Sequence, residues 1–189
     1  FQPYYNLVKL FRKDAVVSET SSWIFRATPY ITFISVLIIS LLVPVLSSQV
    51  PLNFTGDIIL IIYLFALARF FLVLTSLDTG SAFGGMGGSR EMMVSSMAEP
   101  AMILSFFTVA LTVNSTNLSN ITSTLLNNSI LLLNPSLILA FAALTIVLIA
   151  ETGRIPVDNP FTHLELTMIH EGMMLEFYGR YLALVEWAS

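Results

Sequence analysis

The chain has 189 residues, is 56% hydrophobic and only 11% charged, and carries a formal net charge of −4 and a mean hydropathy of +0.82. Soluble domains average about 25% charged residues, so this composition excludes a water-soluble globule and predicts an integral membrane protein. The 8 Lys and Arg residues are too few for a nucleic-acid footprint. With no cysteine, the chain itself holds no disulfide, Cys-ligated zinc or iron–sulfur cluster.

The first residue is Phe, and no basic-then-apolar signal peptide follows it. The expectation is that residues are missing from one or both ends. The opening segment "FQPYYNLVKLFRKDAVVSE" is amphipathic: Leu7, Leu10 and Phe11 share one helical face, and Lys9, Arg12 and Lys13 fall away from it. That pattern predicts a helix lying on the cytoplasmic membrane surface.

Four apolar runs follow, at residues 24–47, 57–77, 91–113 and 132–150. Each is long enough to cross a hydrocarbon core, which takes roughly 20 helical residues. None alternates, and each is longer than a usual strand. The fold class is therefore all-α: a polytopic membrane helix bundle and a single membrane domain, with a surface helix before it and a charged loop-helix after it. Lys9, Arg12, Lys13 and Arg26 lie at or before the start of the first run, Arg90 between the second and third, and Arg154 and Arg180 after the fourth. The connections 48–56 and 114–131 contain no Lys or Arg. Basic residues gather on the cytoplasmic side, which puts the N-terminal segment, the 78–90 loop and the charged segment 151–189 there. The localisation expected is the cell membrane.

The inner connection "DTGSAFGGMGGSR" matches neither G-x-G-x-x-G nor a Walker pattern and follows no strand. A flexible turn or a close-packed backbone is preferred to phosphate binding. The outer connection "NSTNLSNITSTLLNNS" carries several N-x-S/T sequons. A neutral polar loop is preferred to glycosylation there.

An ionisable group at membrane depth costs about 2.5–3.5 kcal/mol or more and is a functional hypothesis by default. Arg69 and Glu99 are such groups. Counted from Asp78 and Glu91 at the inner helix ends, both lie on the order of 12–13 Å deep. Their helices are sequential and antiparallel, so an Arg69–Glu99 interaction is predicted. It reads either as an ion pair that fixes helix packing or as one station on a charged path. Pro100 frees the carbonyl of Ser96 beside it, with Ser95 near the same spot.

The stretch 151–180 follows the last apolar run with five acids, two arginines and two histidines. Glu151 and Arg154 close the fourth helix. Pro156 and Pro160 stiffen a connector, with Asp158 and Asn159 in a turn. Thr162 and Glu165 form a capping box. On the helix that follows, Glu165, Ile169, Gly172, Glu176 and Arg180 make one stripe, with Glu176 and Arg180 in the favourable i,i+4 order. His170 and Glu171 point elsewhere. "HEGMM" is not H-E-x-x-H, because position 174 is Met, so a zincin site is not expected. A solvated helix would balance these acids with lysines, yet no Lys follows residue 13.

These residues carry a resemblance. "AETGRIPVDNPFTHLELTMIHEGMMLE" (150–176) resembles the signature loop of the family of complex I subunit 1 and formate hydrogenlyase subunit 4. "QPYYNLVKLFRKD" (2–14) resembles that family's surface helix. "RFFLVLTSLDTGSAFGGMGGSREMMVSSMAEP" (69–100) resembles the span–loop–span of its hydrogenase branch. "GRIPVDNPFTHLELTMIHE", with His163 and His170, is closer to energy-converting membrane-bound [NiFe] hydrogenases than to quinone-reducing complex I. The resemblance implies a non-catalytic coupling subunit of an oxidoreductase complex. Its partners would be hydrogenase-like large and small subunits holding Fe–S clusters and a NiFe centre, and antiporter-like membrane subunits that pump H⁺ or Na⁺. It implies no cofactor or metal in this chain. Glu99, Glu151, Asp158, Glu165, Glu171 and Glu176 match the family's charged path, with Arg90 and Arg154 beside them. Family members have about eight spans, more than the four here. Three competing readings are the quinone-site subunit of a complex I-like dehydrogenase, the equivalent subunit of a sulfur reductase, and an independent transporter. Against the last, the chain has no sign of an inverted repeat.

Overall fold

A computed structural model describes residues 2–14, 21–43, 57–153, 157–158 and 169–188. The described elements are helices: α1 (Gln2–Phe11), α2 (Trp23–Leu42), α3 (Ile58–Asp78), α4 (Ala82–Val113), α5 (Leu118–Asn127), a 3₁₀ turn (Ser129–Leu133), α6 (Pro135–Glu151), α7 (Ile169–Met174) and α8 (Arg180–Ala188). Among the described residues, α2, α3 and α4 are long and apolar enough to cross a membrane, and α6 is a shorter apolar helix. Together they make an all-helical membrane bundle. Leu104, Leu111, Leu139, Phe141 and Ile146 stand exposed on its outside. In lipid that is the stable place for them.

The helices meet through small and hydroxyl-bearing residues, as helices in lipid tend to do, because these let backbones approach. Thr28, Thr32 and Ser35 of α2 are buried, as are Thr75 and Ser76 of α3. The Thr28 and Thr75 hydroxyls share a hydrogen bond of 2.5 Å. At the same end, the Ser22 N–H donates to the Asp78 carboxylate at 2.8 Å. That bond ties the head of α2 to the tail of α3.

The α3–α4 hairpin departs from the sequence expectation. The glycine-rich stretch is not a loop but the first turns of α4, which begins at Ala82 rather than near residue 91. Gly80, at φ +66°, makes the turn, and the Ser81 hydroxyl caps α4 by accepting from the Gly84 N–H at 3.1 Å. A Cβ on Gly84 would stand 2.7 Å from the Ser76 carbonyl oxygen, and one on Gly88 would collide with the Ser76 hydroxyl. Close packing is therefore what the glycines supply there.

The main apolar cluster joins Ile58 and Ile62 of α3, Ala98 and Met102 of α4, Ile121 of α5 and Val147 of α6. At this end of the bundle, α4 stops at Asn114 (φ +56°). The connection to α6 returns through α5, and Thr116 donates to the Asp57 carboxylate at 2.9 Å. The connection is thus an ordered cap rather than a bare loop.

At the other end, the stripe from Glu165 to Arg180 predicts one continuous helix. The described part is broken instead: α7 ends at Met174, and α8 begins at Arg180 after Gly179 at φ +62°. Glu176 and Arg180 consequently lie on opposite sides of a turn rather than one helical turn apart. A Cβ on Gly179 would stand 2.6 Å from the Asp14 carbonyl oxygen, so this turn is pressed against the segment just after α1. Phe177 stacks on Phe25 at 4.7 Å between ring centroids. Tyr181 meets Tyr30, and Trp187 meets Phe33. These contacts climb both helices together, so α8 runs beside α2 in the same direction. Trp187 also meets Phe11, which docks α1 on α8.

Candidate functional site: a guanidinium among three carboxyl groups

Arg69 sits nine residues before the end of α3, and Glu91 sits nine residues after the start of α4. In an antiparallel hairpin these positions are level. At about 1.5 Å per residue, both are roughly 13 Å from the helix ends. Arg69 Nε is 3.2 Å from Glu91 Oε1. Two turns further along α4, Glu99 Oε1 is 3.7 Å from Arg69 Nη1. Between them, the Ser95 hydroxyl accepts from Nη1 at 3.2 Å. Glu91, Ser95 and Glu99 recur at i, i+4 and i+8 and so share one face.

The third carboxylate comes from α6. Arg69 Nη1 donates to Glu151 Oε1 at 2.6 Å, and Nη2 pairs with Oε2. This is the two-pronged pairing that suits a planar guanidinium to a carboxylate. Glu151 is the last residue of α6, so that helix ends at the depth of Arg69, deeper than the level at which α3 ends and α4 begins. Its terminal carbonyls, the negative end of the helix dipole, also lie at the level of the guanidinium.

The side chains of Arg69, Glu91 and Glu151 are only 15%, 16% and 17% exposed, whereas that of Glu99 is 36% exposed. Glu99 is thus the partner with most access to its surroundings and the longest contact. One positive charge faces three carboxyl groups, more than it neutralises if all are ionised.

The predicted Arg69–Glu99 interaction is present, but Glu151 and Glu91 are the closer partners. In the sequence Glu91 marks only the helix end. Its spacing to Glu99 was the available signal, hidden because the glycine run read as a loop. The other predicted residues lie elsewhere. Asp78 is engaged with Ser22. Arg90, Glu176 and Arg180 are exposed. Asp158 is buried, and its Oδ2 accepts from the Ile169 N–H at 2.9 Å at the start of α7. Glu171 lies in α7. Arg154, Glu165 and the Thr162 capping box lie outside the described residues. Among the described residues, no His, Cys, Asp or Glu side chains group as metal ligands.

A family model described as NADH dehydrogenase matches residues 1–189. The chain is 37% identical over 190 residues to formate hydrogenlyase subunit 4 of Escherichia coli (strain K12), covering 98% of this chain and 59% of that one. It is also 37% identical over 189 residues to hydrogenase-4 component C of the same strain, covering 99% of this chain and 58% of that one. The fold matches a chain of the membrane-bound sulfane sulfur reductase, an archaeal respiratory membrane complex. The TM-score is 0.80 at 21% identity, over 99% of this chain and 60% of that one. The chain thus spans about three-fifths of the length of these relatives.

Proposed function

The chain belongs to the NADH dehydrogenase family, and from that premise we propose that it is the membrane-anchoring, coupling subunit of an ion-translocating oxidoreductase complex of the hydrogenase type. The relatives at 37% identity are named as a formate hydrogenlyase subunit and a hydrogenase component. Multisubunit membrane complexes are the setting of this family. In this reading the redox cofactors, Fe–S clusters and a NiFe centre, sit in peripheral large and small subunits. Antiporter-like membrane subunits complete the pump, and the charged segment 151–189 faces the cytoplasmic redox arm.

The observation that carries the proposal is the Arg69 cluster. A packing ion pair needs one carboxylate. Here three from two helices converge on one guanidinium at membrane depth. The surplus carboxyl capacity is what a path for H⁺ or Na⁺ requires, since such a path must take up and release charge. Arg69 holds the carboxyl groups at one depth, Ser95 extends the hydrogen-bonded chain, and the more exposed Glu99 is the exchange point.

The test is to purify the intact complex and identify its other subunits and its reaction. Hydrogen evolution, with a co-purifying large subunit that retains two C-x-x-C pairs, is the expected result. A complex without hydrogen evolution, blocked by a quinone-site inhibitor, would instead identify the quinone-reducing branch. A large subunit lacking the C-x-x-C pairs would point to a different acceptor, as in a sulfur reductase.

A further inference from the structure

Two routes lead from α7 to Arg69, and together they close a ring. The first begins at Asp158, whose carboxylate accepts the N–H of Ile169, the first residue of α7, at 2.9 Å. The Asp158 side chain lies against Gly153, where an added Cβ would be 3.8 Å from both Asp158 Cβ and Oδ2. Gly153, at φ +56°, makes the turn two residues after Glu151. Glu151 in turn grips Arg69.

The second route crosses from α7 to α4 at Gly87. A Cβ there would stand 3.1 Å from the Ile169 carbonyl oxygen, 3.2 Å from the Met173 nitrogen and 3.3 Å from the Gly172 carbonyl carbon. All three are backbone atoms, so no side chain of α7 can swing aside. One turn along α4 from Gly87 is Glu91, which holds Nε of Arg69. Gly85, two residues away on the same helix, has nothing within 4 Å of its Cβ position. Gly84 and Gly88 press on Ser76 of α3, and Gly87 is the glycine that presses on the α7 backbone.

We propose that Gly87 and Asp158 are positioning residues. They seat α7 so that its placement sets how Arg69 is shared between Glu91 on α4 and Glu151 on α6. Tightly packed backbone tends to shift as a unit rather than deform gradually. Displacing α7, as a subunit docked at that end would, therefore moves both carboxylates relative to one guanidinium. The functional half of this inference rests on the proposed ion path. The geometric half does not.

The test uses the intact complex and two readouts: amide hydrogen exchange of α7, and ions moved per electron pair in proteoliposomes. Gly87→Ala is expected to speed exchange in α7 and to lower the ion ratio several-fold while electron transfer continues. Gly85→Ala, the same change on the same helix, is expected to alter neither. Gly87→Ala added to Glu91→Gln is expected to lower the ratio no further than Glu91→Gln alone, because both act through one contact. At Asp158, Asn keeps the acceptor and is expected to preserve both readouts, whereas Ala is expected to disturb both. The Asp158 pair keeps the test open if Gly87→Ala fails to assemble. The proposal is overturned if Gly87→Ala matches Gly85→Ala in α7 exchange, if its effect adds to that of Glu91→Gln, or if Asp158→Asn loses ion transport with α7 exchange unchanged. That last result would make Asp158 a path carboxylate. Should Glu91→Gln leave the ratio at the wild-type value, the proposed ion path fails at that residue, and α7 exchange alone judges the ring.

Discussion

Replacing Glu151 with Gln removes one charge and one of the two prongs on Arg69 while keeping the side chain's size. The remaining amide oxygen still accepts one N–H. Glu91 Oε1, at 3.2 Å, and the Ser95 hydroxyl, at 3.2 Å, still hold the guanidinium. A hydrogen bond to a charged group contributes about 1.5–3 kcal/mol, and stripping a buried charge of its partner costs about 3–5 kcal/mol. Because Arg69 keeps other partners, the loss for Glu151→Gln belongs near the lower figure, about 2 kcal/mol. Glu99→Gln removes a contact of 3.7 Å to a half-buried side chain, so its cost is under about 1 kcal/mol. Arg69→Met leaves three carboxyl groups without their cation and belongs near the upper figure, about 3–5 kcal/mol. The assay is thermal unfolding of the protein in lipid nanodiscs, followed by the fluorescence of its 2 tryptophans, Trp23 and Trp187. At about 2–4 °C per kcal/mol for a chain of this size, Glu151→Gln lowers Tm by roughly 4–8 °C and Glu99→Gln by no more than about 4 °C. Equal shifts for the two glutamates, or a larger one for Glu99, would refute the ranking of Glu151 as the principal partner.

Gly179→Ala forces a Cβ against the Asp14 carbonyl oxygen at φ +62°. It should loosen α1 from α8 at a cost of about 1–3 kcal/mol, visible as faster proteolysis after Lys9, Arg12 or Lys13. Thr28→Val and Thr75→Val should each cost about 1 kcal/mol singly. The double substitution should cost less than their sum, because it removes both ends of the shared hydrogen bond; strictly additive unfolding energies would show that the two hydroxyls are not coupled. Phe25→Ala empties a buried site stacked on Phe177. It should cost about 3–5 kcal/mol, with the near-ultraviolet circular dichroism of the aromatic cluster diminished; an unchanged spectrum would contradict the packing of α8 on α2.

The membrane bundle was legible because long apolar runs without alternation have few other solutions in lipid. The opposite ends were less so: α5 is short and polar on one side, and Ile121, with Leu118 and Leu125 beside it, anchors it in the main cluster. The sequence hides the start of α4 at Ala82, because glycine weakens a helix by local propensity. What favours glycine there is the closeness of Ser76 and of the α7 backbone, and that information lies in other parts of the chain. The same concealment places Glu91 at the membrane surface and hides the nearer partner of Arg69 on α4. The break at Gly179 was missed for a related reason, since an acceptable 3.6-residue stripe continues across it in the sequence. The depth at which α6 ends was beyond pattern reading, because apolar length alone does not say how far a helix is sunk. Arg69 and Glu99 were found because charge at membrane depth is costly wherever the helix boundaries fall.

The most direct measurement of the central claim is the number of ions translocated per electron pair by the reconstituted complex carrying Glu91→Gln, Glu99→Gln or Glu151→Gln, with Glu186→Gln on the exposed face of α8 as control. If the Arg69 cluster is a station on the ion path, the three cluster variants keep electron transfer and lose most of the translocation, while the control retains both. Wild-type ratios in all three would contradict the account and leave Arg69 as a device for packing α3, α4 and α6.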